Sequence, residues 1–214
     1  MEQPKKKTFT ENMRLWFKGI LDPIANLLIR IGLTPTAITL TGVAGNVISA
    51  VMIANGQLLW GGILALVMGP MDALDGTMAR LRGEASNWGA FVDAVSDRYS
   101  ELIIMAGLLY YYTELGNTLG VMLVYAAAAG SVLVSYTKAR ADSLKFDANT
   151  GILTRMERYM ILAPGLILGY YYPMILLAAV GIIALLANIT AFQRIWRVRK
   201  QGHELLRQMK LTKN

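Results

Sequence analysis

The chain has 214 residues, of which 55% are hydrophobic and 16% are charged, and its formal net charge is +7. Because soluble domains carry about 25% charged residues, this composition disfavours an ordinary soluble domain and points to a membrane protein. The chain contains no cysteine, which excludes disulfides and thiolate metal sites. The basic residues lie between apolar stretches, which indicates contact with anionic membrane lipids and no nucleic-acid partner.

The first predicted element covers residues 9–30, where apolar residues recur at helical spacing and basic residues occupy the other faces. This pattern is typical of an amphipathic helix that lies in the membrane interface. We therefore assign residues 1–33 to a cytoplasmic N-terminus with a juxtamembrane interfacial helix. The alternative is a helix packed on a soluble core.

Six apolar segments follow, each near the ~20 residues that cross the hydrocarbon layer as a helix. The predicted spans are 34–55, 59–81, 87–112, 117–139, 153–171 and 173–197. The predicted fold class is thus an all-α integral membrane protein with six transmembrane helices in one domain, 34–197. Residues 198–214 are predicted to form a basic cytoplasmic tail.

The distribution of Lys and Arg predicts how these spans are oriented in the membrane. The outer connections would be 56–58, 113–116 and 172, and none of them contains Lys or Arg. Basic residues accumulate on the cytoplasmic side of membrane proteins, so both termini are expected in the cytoplasm. The predicted location is the inner membrane of the cell, with the active site at its cytoplasmic side.

Four aspartates lie in or next to the apolar spans. Asp72 and Asp75 are three residues apart on the second span, and Asp93 and Asp97 are four apart on the third. These spacings place each pair on one face of a helix. The short connection makes the two helices antiparallel neighbours, so the four carboxylates can converge at one depth. Intramembrane carboxylates are costly and by default mark function.

The carboxylates predict a metal site. Four of them in one pocket would repel each other unless cations neutralised their charge. Oxygen ligands alone favour Mg²⁺, Mn²⁺ or Ca²⁺ over zinc, and two such ions suit a displacement at phosphorus. Gly76, Ala79 and Gly89 leave room for a bulky ligand, and Arg80 offers a positive charge to phosphate.

Two other roles for these carboxylates stay open at this point. They could form structural ion pairs with Arg80, Arg82 and Arg98, or they could line a path for cations or protons. A transport path needs polar residues along the outer halves of the spans, and these halves are almost uniformly apolar. The pattern therefore disfavours a carboxylate-based cation transporter.

The same residues carry a family resemblance. The sequence DALDGTMAR at 72–80, followed after eight residues by GAFVDAVSD at 89–97, resembles the signature of the CDP-alcohol phosphotransferases, DxxDGxxAR and GxxxDxxxD. Every fixed position is present at the expected spacing. The predicted interfacial helix, six spans and basic ends extend the resemblance over nearly the whole chain.

The resemblance implies an enzyme that transfers a phosphatidyl group from a CDP-linked lipid, diacylglycerol- or archaeol-based, to an alcohol. It implies a homodimer and two Mg²⁺ or Mn²⁺ ions held by the four aspartates, with Asp97 also serving as general base. The residues implied to bind the CDP portion are Asp72, Asp75, Gly76, Ala79, Arg80 and Gly89.

The acceptor is indicated by cations at the cytoplasmic ends of spans four to six, which are Lys138, Arg140, Arg155, Arg158 and Arg194. A phosphate dianion needs two or three charge-assisted contacts, so these cations favour a phosphorylated alcohol. SYTKARAD at 135–142 and GILTRMER at 151–158 resemble the prokaryotic phosphatidylinositol-phosphate synthases. This likeness implies inositol phosphate bound by Lys138, Arg155 and Arg194. Glycerol-3-phosphate is the alternative acceptor, and contact of these cations with lipid headgroups is the alternative role.

Overall fold

The computed structural model describes residues 9–84 and 86–211, apart from the side chains at 9–18, 20 and 72. All regular secondary structure in these residues is helical, which confirms the all-α class. The helices are α1 (Phe9–Arg30), α2 (Pro35–Ala54), α3 (Leu58–Met68), α4 (Met71–Leu81), α5 (Asn87–Glu114), α6 (Thr118–Ser143), α7 (Arg155–Gly169) and α8 (Pro173–Leu211).

Four helical stretches in the described residues are long and apolar enough to cross a membrane. They are Pro35–Ala54, Leu58–Leu81, Thr118–Ser143 and Pro173–Leu211. These stretches correspond to the first, second, fourth and sixth predicted spans and mark a membrane protein. The third and fifth predicted spans correspond to α5, which carries several charged residues, and to α7, which has only 15 residues.

The second predicted span, 59–81, consists of two helices. α3 ends at Met68 and α4 begins at Met71. Pro70 lies at the junction, and a proline lacks the backbone N–H and clashes with the carbonyl four residues earlier. The last predicted span, 173–197, lies within α8, and this helix continues into the segment assigned to a basic tail, as far as Leu211.

The helices form two compact units. The first contains the described residues up to Gly45 and 67–100, and the second contains 46–66 and the described residues from Glu101 onward. In the first unit α1 packs on α4, and the buried core consists of Leu21, Ala25, Ile38, Leu74 and Met78.

The second unit is built around α8, which packs against α6 and α7. Its core includes Ile53, Leu108, Leu166 and Ile183, all of them essentially inaccessible to solvent.

Small residues bring α6 and α8 close together. A Cβ atom added at Gly130 would lie 2.7 Å from the side-chain nitrogen of Asn188. The same Asn188 nitrogen donates a hydrogen bond to the carbonyl of Ala126 at 3.0 Å. Within apolar surroundings, such an interhelical hydrogen bond helps to fix how two helices pack.

Candidate active site

The carboxylate motif lies on α4 and the first part of α5, within the first unit. Asp75 is 4% exposed, and its Oδ2 accepts a hydrogen bond from the Thr39 hydroxyl on α2. A hydrogen bond to a carboxylate is stronger than one between neutral groups. Thr39 therefore orients the buried carboxylate, a contact between residues 36 positions apart that the motif alone does not indicate.

Asp93 and Asp97 lie one turn apart on α5, and both are half-buried. Asp72 lies in the first turn of α4, but its side chain is outside the described set. The sequence prediction that the two pairs lie on two helices joined by a short connection is thus confirmed for the backbone. The convergence of all four carboxylates stays a prediction.

The glycines of the motif leave open space beside these helices. Among the described atoms, which exclude residue 85 and the Asp72 side chain, a Cβ atom added at Gly76 would meet only Arg80 Nη1, at 3.9 Å, and one at Gly89 only Ser86 Oγ, at 3.4 Å. Arg80 is exposed, and its Nη2 donates to the Thr77 hydroxyl at 2.9 Å. This space and the nearby guanidinium fit a bulky phosphorylated ligand.

The donor set fits a hard divalent cation. Asp75, Asp93 and Asp97 offer carboxylate oxygens, which Mg²⁺ and Mn²⁺ prefer to nitrogen or sulfur ligands. No group of three or more ligating side chains is assembled among those that the structure describes, a set that excludes Asp72. The residues present therefore match the chemistry of such an ion, and its coordination remains a prediction.

The three arginines near the aspartates contact other groups as well. Besides the Arg80–Thr77 contact, Arg82 lies 3.8 Å from Glu84, and Arg98 donates to the carbonyl of Ala94 within its own helix.

The cations predicted to bind the acceptor lie in the second unit, around the connection between α6 and α7. Lys138 is exposed on α6, and Arg155 is the first residue of α7. Arg194 on α8 is only 8% exposed. Its Nε donates to the carbonyl of Thr150 at 2.9 Å and its Nη1 to that of Val134 at 2.6 Å. Arg194 thus fastens three segments together, a role that the sequence did not reveal.

The position of Arg155 is fixed by the start of its helix. The carboxylate of Glu157 accepts a hydrogen bond from the backbone N–H of Thr154, the residue before α7. This is half of a capping box, which satisfies an otherwise unpaired donor at a helix start. Residues 154–157 therefore define where α7 begins.

A buried ion pair lies beside Arg155. Arg158 is 2% exposed, and its Nε and Nη2 donate to the two carboxylate oxygens of Glu101 at 2.6 and 2.9 Å. The sequence pattern places Arg158 among the cations near the acceptor, whereas in the structure its charge is paired with Glu101. An acidic residue within the apolar part of α5 is the signal that could have indicated a buried partner. Glu101, Arg155, Arg158 and Tyr159 line a small cavity.

Glu101→Gln is expected to destabilise the protein strongly. It leaves the buried Arg158 without its counter-charge, and breaking a buried ion pair costs about 3–5 kcal/mol. Thermal unfolding in detergent would measure this loss. Glu114→Gln, at the exposed end of the same helix, is the matched control and should unfold near the wild-type temperature. Equal unfolding temperatures for both variants would contradict the assigned pair.

Taken together, the apolar helices and the carboxylate motif define a membrane-bound enzyme that handles phosphorylated ligands. The family model for CDP-alcohol phosphatidyltransferases matches residues 32–196. The chain therefore belongs to the CDP-alcohol phosphatidyltransferase family. Membership in this family favours group transfer over the cation-transporter alternative.

Two relatives are similar in sequence over most of the chain. The chain is 34% identical to the phosphatidylinositol phosphate synthase of Mycobacteroides abscessus, over 86% of this chain and 85% of the relative. It is 35% identical to the archaetidylinositol phosphate synthase of Methanothermobacter thermautotrophicus, over 83% of this chain and 88% of the relative.

Two crystal structures of one enzyme share the fold of this chain. The crystal structure of Mycobacterium tuberculosis phosphatidylinositol phosphate synthase with CDP-DAG bound matches with a TM-score of 0.79 at 31% identity, over 84% of this chain and 93% of that one. The same enzyme in complex with manganese and citrate matches with a TM-score of 0.78 at 31% identity, over 83% and 88% of the two chains. The family and this manganese complex support dependence on a divalent metal.

Proposed function

We propose that the protein transfers a phosphatidyl group from CDP-diacylglycerol to a hydroxyl of inositol phosphate and releases CMP. The observation that carries this proposal is the match of 86% of the chain to a relative named phosphatidylinositol phosphate synthase. CDP-archaeol is the alternative donor, because a relative of similar identity is named for archaetidyl transfer.

In the proposed reaction the acceptor hydroxyl oxygen attacks the β-phosphorus of the CDP-lipid. The bond between this phosphorus and the oxygen that bridges it to CMP breaks, and CMP leaves with that oxygen. Asp97, half-buried on α5, takes the proton of the attacking hydroxyl as general base, which requires hydrogen-bond reach of the acceptor. The phosphodiester product stays in the membrane.

The aspartates have a second proposed role, since Asp72, Asp75, Asp93 and Asp97 would hold two Mg²⁺ or Mn²⁺ ions. When bound, such ions would neutralise negative charge on the pyrophosphate and CMP groups. Thr39 supports this role because it holds the buried Asp75 carboxylate in one orientation.

The remaining motif residues are proposed to bind the CDP portion beside Asp72 and Asp75. Gly76, Ala79 and Gly89 keep the helix surfaces free of large side chains, and Arg80 is exposed to meet a phosphate. The guanidinium offers a planar fork that matches phosphate oxygens.

The acceptor phosphate is proposed to bind Lys138, Arg155 and Arg194. All three flank the connection between α6 and α7, and Arg194 uses Nε and Nη1 for backbone carbonyls. Its contribution to the phosphate is therefore proposed to come through Nη2 and its charge, while Arg155 and Lys138 supply the direct contacts.

Arg155→Ala is expected to raise the acceptor KM about tenfold to a hundredfold, because one charge-assisted contact is worth about 1.5–3 kcal/mol. The KM for CDP-lipid should stay almost unchanged. Arg155→Lys should recover only part of the loss if the contact is bidentate. Steady-state kinetics with Arg207→Ala, an exposed charge removal late in α8, gives the control. An unchanged acceptor KM in Arg155→Ala would contradict its assignment.

We also propose that the enzyme crosses the inner membrane six times, with both termini and the active site cytoplasmic, and that it is a homodimer. In this topology α5 and α7 are the third and fifth spans, and α1 is the interfacial helix of segment 1–33. Exposed apolar side chains support contact of α1 with lipid. Leu27 on α1 is 61% exposed, and Ile31, which follows the last residue of the helix, is 65% exposed. The catalytic domain would be 34–197, followed by the cytoplasmic segment 198–214.

This topology predicts which sites an impermeant thiol reagent can reach. Because the chain has no cysteine, single cysteines at the exposed positions Thr113 and His203 can be labelled without background. In intact cells Thr113→Cys should react and His203→Cys should not, whereas both should react after lysis. The reverse pattern would contradict the orientation.

The experiment that tests the proposed activity is CMP release by purified enzyme with CDP-diacylglycerol. Inositol phosphate, glycerol-3-phosphate and free inositol are supplied one at a time, and CDP-archaeol replaces the donor in a parallel series. Inositol phosphate should be consumed and free inositol should be nearly inert, because it has no phosphate for the cations. Turnover of free inositol at the same rate would contradict the phosphorylated acceptor.

A further inference from the structure

The segment that connects α6 to α7, residues 144–154, is fastened along one face of α8. Four α8 residues spaced by four, three and four positions make the contacts, a spacing that forms a single stripe on a helix. This α8 stripe consists of Thr190, Arg194, Arg197 and Gln201.

One end of the segment is held through Asp147. The backbone N–H of Asp147 donates to Gln201 Oε1 at 2.9 Å, and Gln201 Nε2 donates to the Asp147 carbonyl at 2.6 Å. Arg197 donates to Asp147 Oδ2, while Oδ1 accepts from the N–H of Asn149 at 2.9 Å. The Asn149 N–H and the Arg197 guanidinium hold the pKa of Asp147 below its ordinary value. The carboxylate is therefore charged at neutral pH.

The other end is held through backbone groups next to α7. Arg194 Nε donates to the Thr150 carbonyl at 2.9 Å, and the N–H of Leu153 donates to Thr190 Oγ1 at 3.1 Å. Gly151 has a φ of +135°, and a Cβ atom there would lie 2.3 Å from Thr190 Cγ2. Only glycine allows this close approach.

We propose that the α8 stripe is a positioning device for the acceptor site, with Thr190, Arg197, Gln201 and Asp147 as positioning residues. Both ends of the segment 144–154 are fixed to α8, and Arg155 follows the segment directly as the first residue of α7. The stripe thereby fixes the position of the Arg155 backbone, and with it the position of the Cβ atom of this side chain. The part of this inference that concerns the acceptor rests on the proposed function.

The contacts at Asp147 are exposed, so we expect their loss to change the order of the segment without unfolding the protein. Asp147, Arg197 and the hydrogen bonds of Gln201 face solvent, and exposed polar contacts contribute little to global stability. They still order a segment that would otherwise sample many conformations. A displacement of about 1 Å in a positioning group is enough to weaken a binding or catalytic geometry.

The test uses the full-length enzyme in detergent with Gln201→Ala, which removes both hydrogen bonds to the Asp147 backbone and keeps a good helix former in α8. Asp147→Asn is a second variant that keeps the shape and removes only the charge. His203→Ala is the control, because it removes an exposed side chain of the same helix. The readouts are acceptor KM, kcat, CDP-lipid KM and the rate of tryptic cleavage after the exposed Lys145, with fragments identified by mass.

Gln201→Ala should speed cleavage after Lys145 and raise the acceptor KM about tenfold, the loss expected when hydrogen bonds that order the site must be re-formed on binding. kcat and CDP-lipid KM should stay near wild type, and Asp147→Asn should show a smaller change in the same direction. A cleavage rate equal to that of His203→Ala would overturn the fastening. Faster cleavage with an unchanged acceptor KM would overturn the positioning role.

The cleavage readout does not depend on substrate. If the wild-type enzyme fails to use inositol phosphate, the proposed function is contradicted, while the fastening of residues 144–154 by the α8 stripe is still decided by cleavage after Lys145.

Discussion

Asp93→Asn is expected to abolish CMP release while the purified variant remains folded in detergent. The change removes the charge of a proposed metal ligand, and a metal ion supplies several kcal/mol of transition-state stabilisation. A loss of about 4 kcal/mol corresponds to about a thousandfold in rate. Folding should survive, because removing one of several neighbouring carboxylates relieves repulsion.

The matched control for Asp93→Asn is Glu114→Gln, which removes a carboxylate charge at the exposed end of the same helix. It should release CMP near the wild-type rate. Thermal unfolding of both variants checks that lost activity is not lost structure. Near-wild-type CMP release by Asp93→Asn would show that the metal-site assignment is wrong.

Removal of divalent metal is expected to have an equally large effect. Exhaustive chelation should stop turnover, and added Mg²⁺ or Mn²⁺ should restore it, because carboxylate oxygens select hard cations. The measurement is CMP release before chelation, after it and during metal add-back. A parallel sample that passes through the same buffer exchange without chelator should stay active. Full activity of the chelated enzyme would contradict metal-dependent catalysis.

The helix bounds could be predicted well where composition changes sharply. The fourth predicted span begins at Asn117, and α6 begins at Thr118 because the Asn117 side chain accepts a hydrogen bond from the N–H of Gly120 at 2.9 Å. This is the N-cap preference of asparagine. The break at Pro70 was missed because the apolar composition continues across it, so the hydropathy pattern outweighed a local backbone signal.

The contacts that shape the candidate sites could not be predicted, because their partners are far apart in sequence. Glu101 and Arg158 are 57 positions apart, and Thr39 and Asp75 are 36 apart. Sequence patterns indicate that a buried charge needs a partner, but they do not select among several candidates. The motif spacing, in contrast, depends only on helix periodicity, and for this reason its residues could be placed on α4 and α5 in advance.

Arg194 illustrates the same limit. Its place near the cytoplasmic end of a predicted span suggests a phosphate ligand, and the structure adds that its Nε and Nη1 donate to the carbonyls of Thr150 and Val134. Positive charge at a span end is read equally well as a ligand, a lipid contact or a fastening group. The contacts of Arg194 to Val134 and Thr150 become visible only in the folded chain.

The most direct test of the proposed function is the identity of the lipid product. Wild-type enzyme is given CDP-diacylglycerol, divalent metal and an equimolar mixture of inositol phosphate and glycerol-3-phosphate, and the lipids are identified by mass. The proposed function predicts phosphatidylinositol phosphate as the main product. Phosphatidylglycerophosphate without any inositol-containing lipid would contradict it, and the same metal-dependent chemistry on the aspartates would then serve the other acceptor.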